Sequence, residues 1–208
     1  MLEAPKGTSE AFPISEQDAQ ALAYYKSADG IGVLAPRGWY CQGVSGSGGA
    51  ALFVGPKPIS HTASGWDGLG GAAIEVNDIS GENSGRYEIA ELAARVFPAY
   101  RSFARQIWND LDSPFPSGPY SKDTLTYRGK AVVEFRTPAH TEGLGNFHSL
   151  LGSNGLPITG AAILLIDSTH PTTNVPHLVL LSLRLPGGLA RLAPTIVHAV
   201  ERNAAAAR

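Results

Sequence analysis

Two uninterrupted apolar runs, Ala161-Ala-Ile-Leu-Leu-Ile166 and Leu178-Val-Leu-Leu-Ser-Leu183, constrain this chain more than any other feature. Both have strand length and neither alternates with polar residues, so both predict strands covered on both faces and central in their sheet. Two helical stripes are available to provide that cover. Apolar residues recur at Ile89, Leu92, Ala93, Val96, Phe97, Tyr100, Phe103, Ala104, Ile107, Trp108 and Leu111, the spacing of one face of an α-helix. Pro98 lies inside the stripe without changing its phase. This predicts one helix over residues 84–111 kinked at the proline, or two short helices nearly in line, with Arg86, Arg95, Arg101 and Arg105 solvated. Leu189, Leu192, Ala193, Ile196, Val197 and Val200 form the second stripe, with Pro194 either kinking it or opening the helix at its first turn.

Shorter signals complete the outline. Ser15-Glu-Gln-Asp18 matches a capping box, which predicts a helix from there to residue 28 and then a strand at 31–35. Residues 51–54 and 72–76 read as strands, and Leu125-Thr-Tyr127 and Ala131-Val-Val-Glu-Phe135 read as a hairpin around Arg128-Gly-Lys130. Helices and strands do not alternate strictly. The fold class expected is therefore α+β: a mainly antiparallel sheet packed against a long kinked central helix and a carboxy-terminal helix, with long glycine-rich loops. At 208 residues the chain is expected to form a single globular domain over 1–208, with frayed ends at 1–14 and 204–208.

Composition narrows the partners. A net charge of −2, from 16 basic and 18 acidic residues, provides no field to attract nucleic acid, so nucleic-acid binding is not expected. Only 16% of residues are charged, below the ~25% usual for soluble domains. The 24 glycines and 15 prolines that take their place imply many turns and ordered loops. One cysteine rules out an intramolecular disulfide and a cysteine-rich zinc site. No apolar run approaches the ~18 residues of a membrane span, so no transmembrane segment is expected. At face value this is a soluble cytoplasmic protein, and an exported protein trimmed of its signal peptide would look the same.

The chemistry-bearing residues gather in residues 37–71 and 137–155. Cys41 precedes the glycine-rich stretch Gly43-Val-Ser-Gly-Ser-Gly-Gly49, read here as a loop. As a nucleophile it would need a histidine base and an orienting acid; His140 and Glu142 are the candidates, with the glycine-rich amides as oxyanion donors. The favoured reading of the thiol is a small buried hydrophobe. His140, Glu142 and His148 together are metal-ligand types without a recognised metal spacing, and no metal is expected. Asp167 and His170, after a buried strand, suggest a polar turn or a site at its end. The G-x-G-x-x-A pattern occurs at Gly30, Gly46 and Gly68, but none of the three joins a strand to a helix as a pyrophosphate site requires, so no cofactor is expected.

Trp39, Tyr40 and Trp66 lie outside any periodic stripe. They are either a ligand platform or anchors for the long loops. The expected function is that of a non-enzymatic module binding a small-molecule, polymeric or protein ligand through residues 37–71 and 137–155, with Trp39, Tyr40 and Trp66 in contact. The alternative is a cysteine-nucleophile hydrolase or transferase built on Cys41, His140 and Glu142.

Overall fold

The computed structural model describes residues 14–62, 65–166 and 175–206. The chain begins with α1 (Glu16–Ala21), β1 (Leu22–Lys26) and β2 (Gly32–Pro36), followed by β3 (Tyr40–Gly46), β4 (Gly49–Gly55), β5 (Ser60–Thr62), β6 (Gly65–Asp67) and β7 (Ala73–Ser80). Two helices come next, α2 (Gly85–Val96) and α3 (Arg101–Trp108). The chain then forms β8 (Thr124–Tyr127), β9 (Val132–Thr137), β10 (Ile158–Leu165) and β11 (His177–Arg184), and ends in α4 (Gly187–Ala190) and α5 (Ala193–Ala206).

Seven strands make one sheet in the order β3-β4-β7-β11-β10-β9-β8, antiparallel at every pairing. The meander β8–β11 returns the chain beside β7, which places the two apolar runs in the fourth and fifth positions. Their side chains feed two cores. Leu178 and Leu180 join Phe53, Ile79, Phe135 and the buried residues of α2 and α3 on one face, while Leu181 and Leu183 join Leu52, Val76, Ile163 and α5 on the other. The β1–β2 hairpin lies on this second face, with Leu22, Val33 and Ala35 buried in the same core. The two faces are called here the α2 face and the α5 face.

Local chemistry explains where expectation and structure differ. The Ser15 Oγ accepts the Asp18 N–H at 3.1 Å, as the capping box requires, but α1 ends at Ala21 instead of continuing to residue 28. Leu22 to Lys26 instead pair with β2, which buries Leu22 where a helix would have left it without a partner strand. The central stripe is delivered by two helices. Pro98 has no N–H to continue the ladder and forces Phe97 out of the helical region (φ −117°, ψ 81°), so α2 stops and a 3₁₀ turn at Pro98–Tyr100 leads into α3. Arg95 is half-buried, paired with Glu91 at 2.9 Å, while Arg86, Arg101 and Arg105 are exposed. Pro194 sits in the first turn of α5, where a missing N–H costs nothing. That helix runs through Ala206, with Ala204 buried against the core. Residues 1–13 and 207–208, and the Asp167–His170 turn, lie outside the described residues.

The largest difference is β3. Residues expected to be a loop form a seven-residue strand, closed onto β4 by a tight turn in which Gly46 pairs with Gly49. Gly49 has φ +133°, and a Cβ there would run into the Asp78 carbonyl of β7. Its glycines thus serve close strand approach and a two-residue hairpin rather than an open loop.

Gly160 has the same role at the sheet centre, where a Cβ would meet the Leu181 carbonyl and the Phe135 ring. Gly160→Ala is expected to cost about 2–3 kcal/mol, read as a lower urea midpoint at unchanged slope. Gly70→Ala, at an exposed position with nothing in reach of the added methyl, should change stability by less than about 0.5 kcal/mol.

Candidate functional site

Among the described residues, two charged side chains are buried on the α2 face, each about 1% exposed: Glu75 on β7 and Arg184 at the end of β11. Glu75 pairs laterally with Ser182, two residues before Arg184, so both charges project from the same face of neighbouring strands. Each serves a loop. The Glu75 Oε2 accepts the Ser149 hydroxyl at 2.7 Å and the Leu150 N–H at 2.9 Å, and its Oε1 accepts Asn77 Nδ2 at 2.8 Å. Arg184 donates to the Gly71 carbonyl at 2.6 Å, to the Gly152 carbonyl at 2.7 Å and to the Leu69 carbonyl. Asn154 adds a bond from Nδ2 to the Gly70 carbonyl at 3.0 Å.

These bonds bring together the two glycine-rich segments named from the sequence. Arg184 holds the end of the first through Leu69 and Gly71 and the second through Gly152; Glu75 fixes the second through Ser149 and Leu150. Burial pushes the Glu75 carboxyl above its ordinary range, and the donors from Asn77, Ser149, Leu150 and Leu151 pull it partly back. Burial likewise draws the Arg184 guanidinium below its usual value, with the Glu75 charge opposing the shift.

Beside this clamp the α2 face is hollowed over β3 and β4. One hollow of about 460 Å³ is lined by Gln42, Val44, Ile59, Ser60, His61 and Trp66. A second, of about 330 Å³, runs from Val44 past Ala51 and Asn77 to Glu88 and His148. The two share Val44 in their lining and together make up a trough on the β3–β4 side of the sheet. The β5–β6 hairpin forms one wall: the Trp66 ring packs on Phe53 at 5.0 Å and meets His61 edge-on at 5.1 Å. At the far end His148, held at φ +43°, sets its ring against Phe147 at 4.4 Å and brings Nδ1 to 3.7 Å from Glu88.

The sequence candidates divide between the two faces. Tyr40, Gln42 and Val44 alternate onto the α2 face with Trp66, and Tyr40 is exposed. Trp39 packs into the core of the α5 face, its backbone N–H donating to the Tyr25 hydroxyl at 3.0 Å, so it shares no platform with Trp66. Cys41 pairs with Val54, whose side chain belongs to the α5 face; it therefore points away from the trough, and it is exposed. This corrects the expectation of a buried thiol: on an edge strand covered by one neighbour only, the alternation leaves Cys41 in solvent. His140 and Glu142 are exposed in the 138–157 loop, which packs on the α2 face through Leu144, Phe147 and Leu151. The structure does not bring them to Cys41. His140 instead donates its backbone N–H to the Asn154 carbonyl at 2.8 Å.

Glu75, Arg184 and Glu88 were not singled out from the sequence, and His61 stood out only as one of the loop histidines. For the first two the signal is present, since a lone charge inside or at the end of a run read as buried must have partners.

Arg184→Met, similar in volume but unable to donate, leaves three loop carbonyls without donors and is expected to cost about 3 kcal/mol. Glu75 gives a pH signature. Its proton is held more tightly in the folded chain than in the unfolded one, so its contribution to stability is complete below the ordinary carboxylate range. That contribution is lost as pH rises through its raised value. Glu75→Gln should therefore flatten the fall in urea midpoint across that window, with Asn77 turning its amide to accept from the new NH₂. Comparison with family models, with curated proteins and with solved structures finds no match to this chain.

Proposed function

We propose that this chain is a non-enzymatic binding module that takes an extended ligand, a sugar chain or a peptide, in the trough along β3 and β4. One observation carries the reading: two hollows share Val44 in their linings, with a half-buried tryptophan standing in the wall of the larger. An indole fixed on Phe53 and His61 is a preset surface for stacking a sugar or an apolar side chain, and it loses little rotamer freedom on binding. Gln42, Ser60 and His61 supply donors and acceptors beside it, and the exposed Tyr40 extends the same face. His148 and Glu88 give the far end a polar terminus.

A Cys41 nucleophile has accessibility in its favour. Against it, the proposed base His140 and acid Glu142 belong to a loop on the other face of the sheet, and nothing after Cys41 is the helix N-terminus that activates such thiols.

The test is a panel of oligosaccharides and peptides titrated against tryptophan emission in a Trp39→Phe, Trp108→Phe background that leaves Trp66 as the reporter. A ligand is expected to shift Trp66 emission, and Trp66→Ala should weaken its binding at least about tenfold by calorimetry. Cys41→Ser should leave that affinity unchanged. No response across both panels, or binding that survives Trp66→Ala, overturns the reading; hydrolysis of a panel member that is lost in Cys41→Ser would establish the thiol enzyme instead.

A further inference from the structure

On the α5 face, away from the trough, three ligand-type side chains from two elements converge. Glu134 projects from β9, in register with Ala161 of that face's core, and His198 and Glu201 stand three residues apart on α5. Residues at that spacing share one helix face. One ligand atom from each of the three lies within 4.8 Å of the others, and the His198 Nε2 is 3.9 Å from the Glu134 Oε1. A strand and a helix from the body of the fold hold these groups, so the cluster is carried on regular structure.

A second observation concerns Glu201. Its Oε1 is sealed from solvent and accepts no hydrogen bond among the described residues. A buried carboxylate oxygen without a donor costs free energy, and here a second carboxylate faces it. Burial first, and then the Glu134 charge, push the Glu201 carboxyl above its ordinary range; His198 and Arg128 act in the opposite sense. The local positive charge comes from Arg128, at the β8–β9 turn, whose Nε and NH2 donate to the two oxygens of Glu134 at 2.6 and 3.3 Å. Arg128 thus satisfies Glu134, while the Glu201 Oε1 has no hydrogen-bond donor among the described residues. Its side chain is 53% exposed, so it can swing into solvent.

We propose that Glu134, His198 and Glu201 form a binding site for a first-row divalent cation such as zinc, with Arg128 as the competing occupant of Glu134. An imidazole with two carboxylates suits such metals, whereas magnesium and calcium favour all-oxygen shells. Three protein ligands at a half-exposed position leave room for water to complete the shell, the arrangement of an open site. The cation would take the place of the donor that Glu201 lacks.

The experiment uses the full chain, stripped with a chelator and titrated with Zn²⁺ by calorimetry and with Co²⁺ by visible absorption. One equivalent is expected to bind, with the intense visible bands of four- or five-coordinate Co²⁺, and His198→Ala and Glu201→Gln should each weaken Zn²⁺ binding at least about tenfold. Arg128→Gln should tighten it several-fold, because it frees Glu134 and removes a neighbouring positive charge; a merely structural cluster would not behave this way. Far-ultraviolet circular dichroism of each variant establishes that it folds, and Glu134→Gln provides a second ligand deletion should Glu201→Gln fail. His140→Ala should leave binding unchanged. Binding absent below about millimolar metal, or equal in the wild type and a folded His198→Ala, overturns the proposal, as does loss of the site in His140→Ala.

Discussion

The arrangement of this molecule's loops depends on two charges buried side by side, Glu75 and Arg184. Apolar packing alone would place the sheet and its helices, but the glycine-rich segments have little apolar surface with which to bind to it. Backbone amides and carbonyls near a core must find partners, and here an acidic and a basic side chain supply them from adjacent central strands. The division of labour is chemical. The carboxylate only accepts, so it holds N–H and O–H groups of the 138–157 loop; the guanidinium only donates, so it holds carbonyls from both segments.

The trough depends on that clamp. Its wall at Trp66 belongs to the segment that Arg184 holds through Leu69 and Gly71, and its far end at His148 immediately precedes Ser149, the first residue held by Glu75. The loop and hairpin walls of the two hollows are thereby tied to the paired central strands. A surface positioned in this way would lose little order if a ligand were to bind. The opposite face is built differently: α5 and the β1–β2 hairpin cover it with apolar contacts, and its polar cluster of Glu134, His198, Glu201 and Arg128 sits where α5 meets β9 and the β8–β9 turn.

Much of the fold was legible in the residues. The unbroken runs at 161–166 and 178–183 are the fourth and fifth strands of seven because only a doubly covered strand can be apolar on both sides. The Arg128-Gly-Lys130 hairpin, the Ser15 cap and the Pro194 start of α5 follow from local rules that tertiary context did not override. Misreadings arose where local signals were mute. Residues 40–46 lack both apolar alternation and β-branched enrichment, and form a strand because β4 offers an edge to pair with. Leu22 to Lys26 continue an apparent helix until β2 supplies a better partner.

The candidate site was legible in part. Trp66 and the two glycine-rich segments stood out, but their meeting requires Glu75 and Arg184, whose roles depend on strand register. The same register separates Cys41 from His140 and turns Trp39 away from Trp66, since neighbours along a strand face opposite sides. The sequence by itself therefore determined the secondary elements with strong periodicity, the need for two covering layers and the absence of a net field for polyanions. Tertiary structure alone decided which polar residues are buried, which loops they join and which side chains share a face. Periodicity is a property of neighbours in the chain, whereas partnership across strands is set by register between segments as far apart as residues 75 and 184.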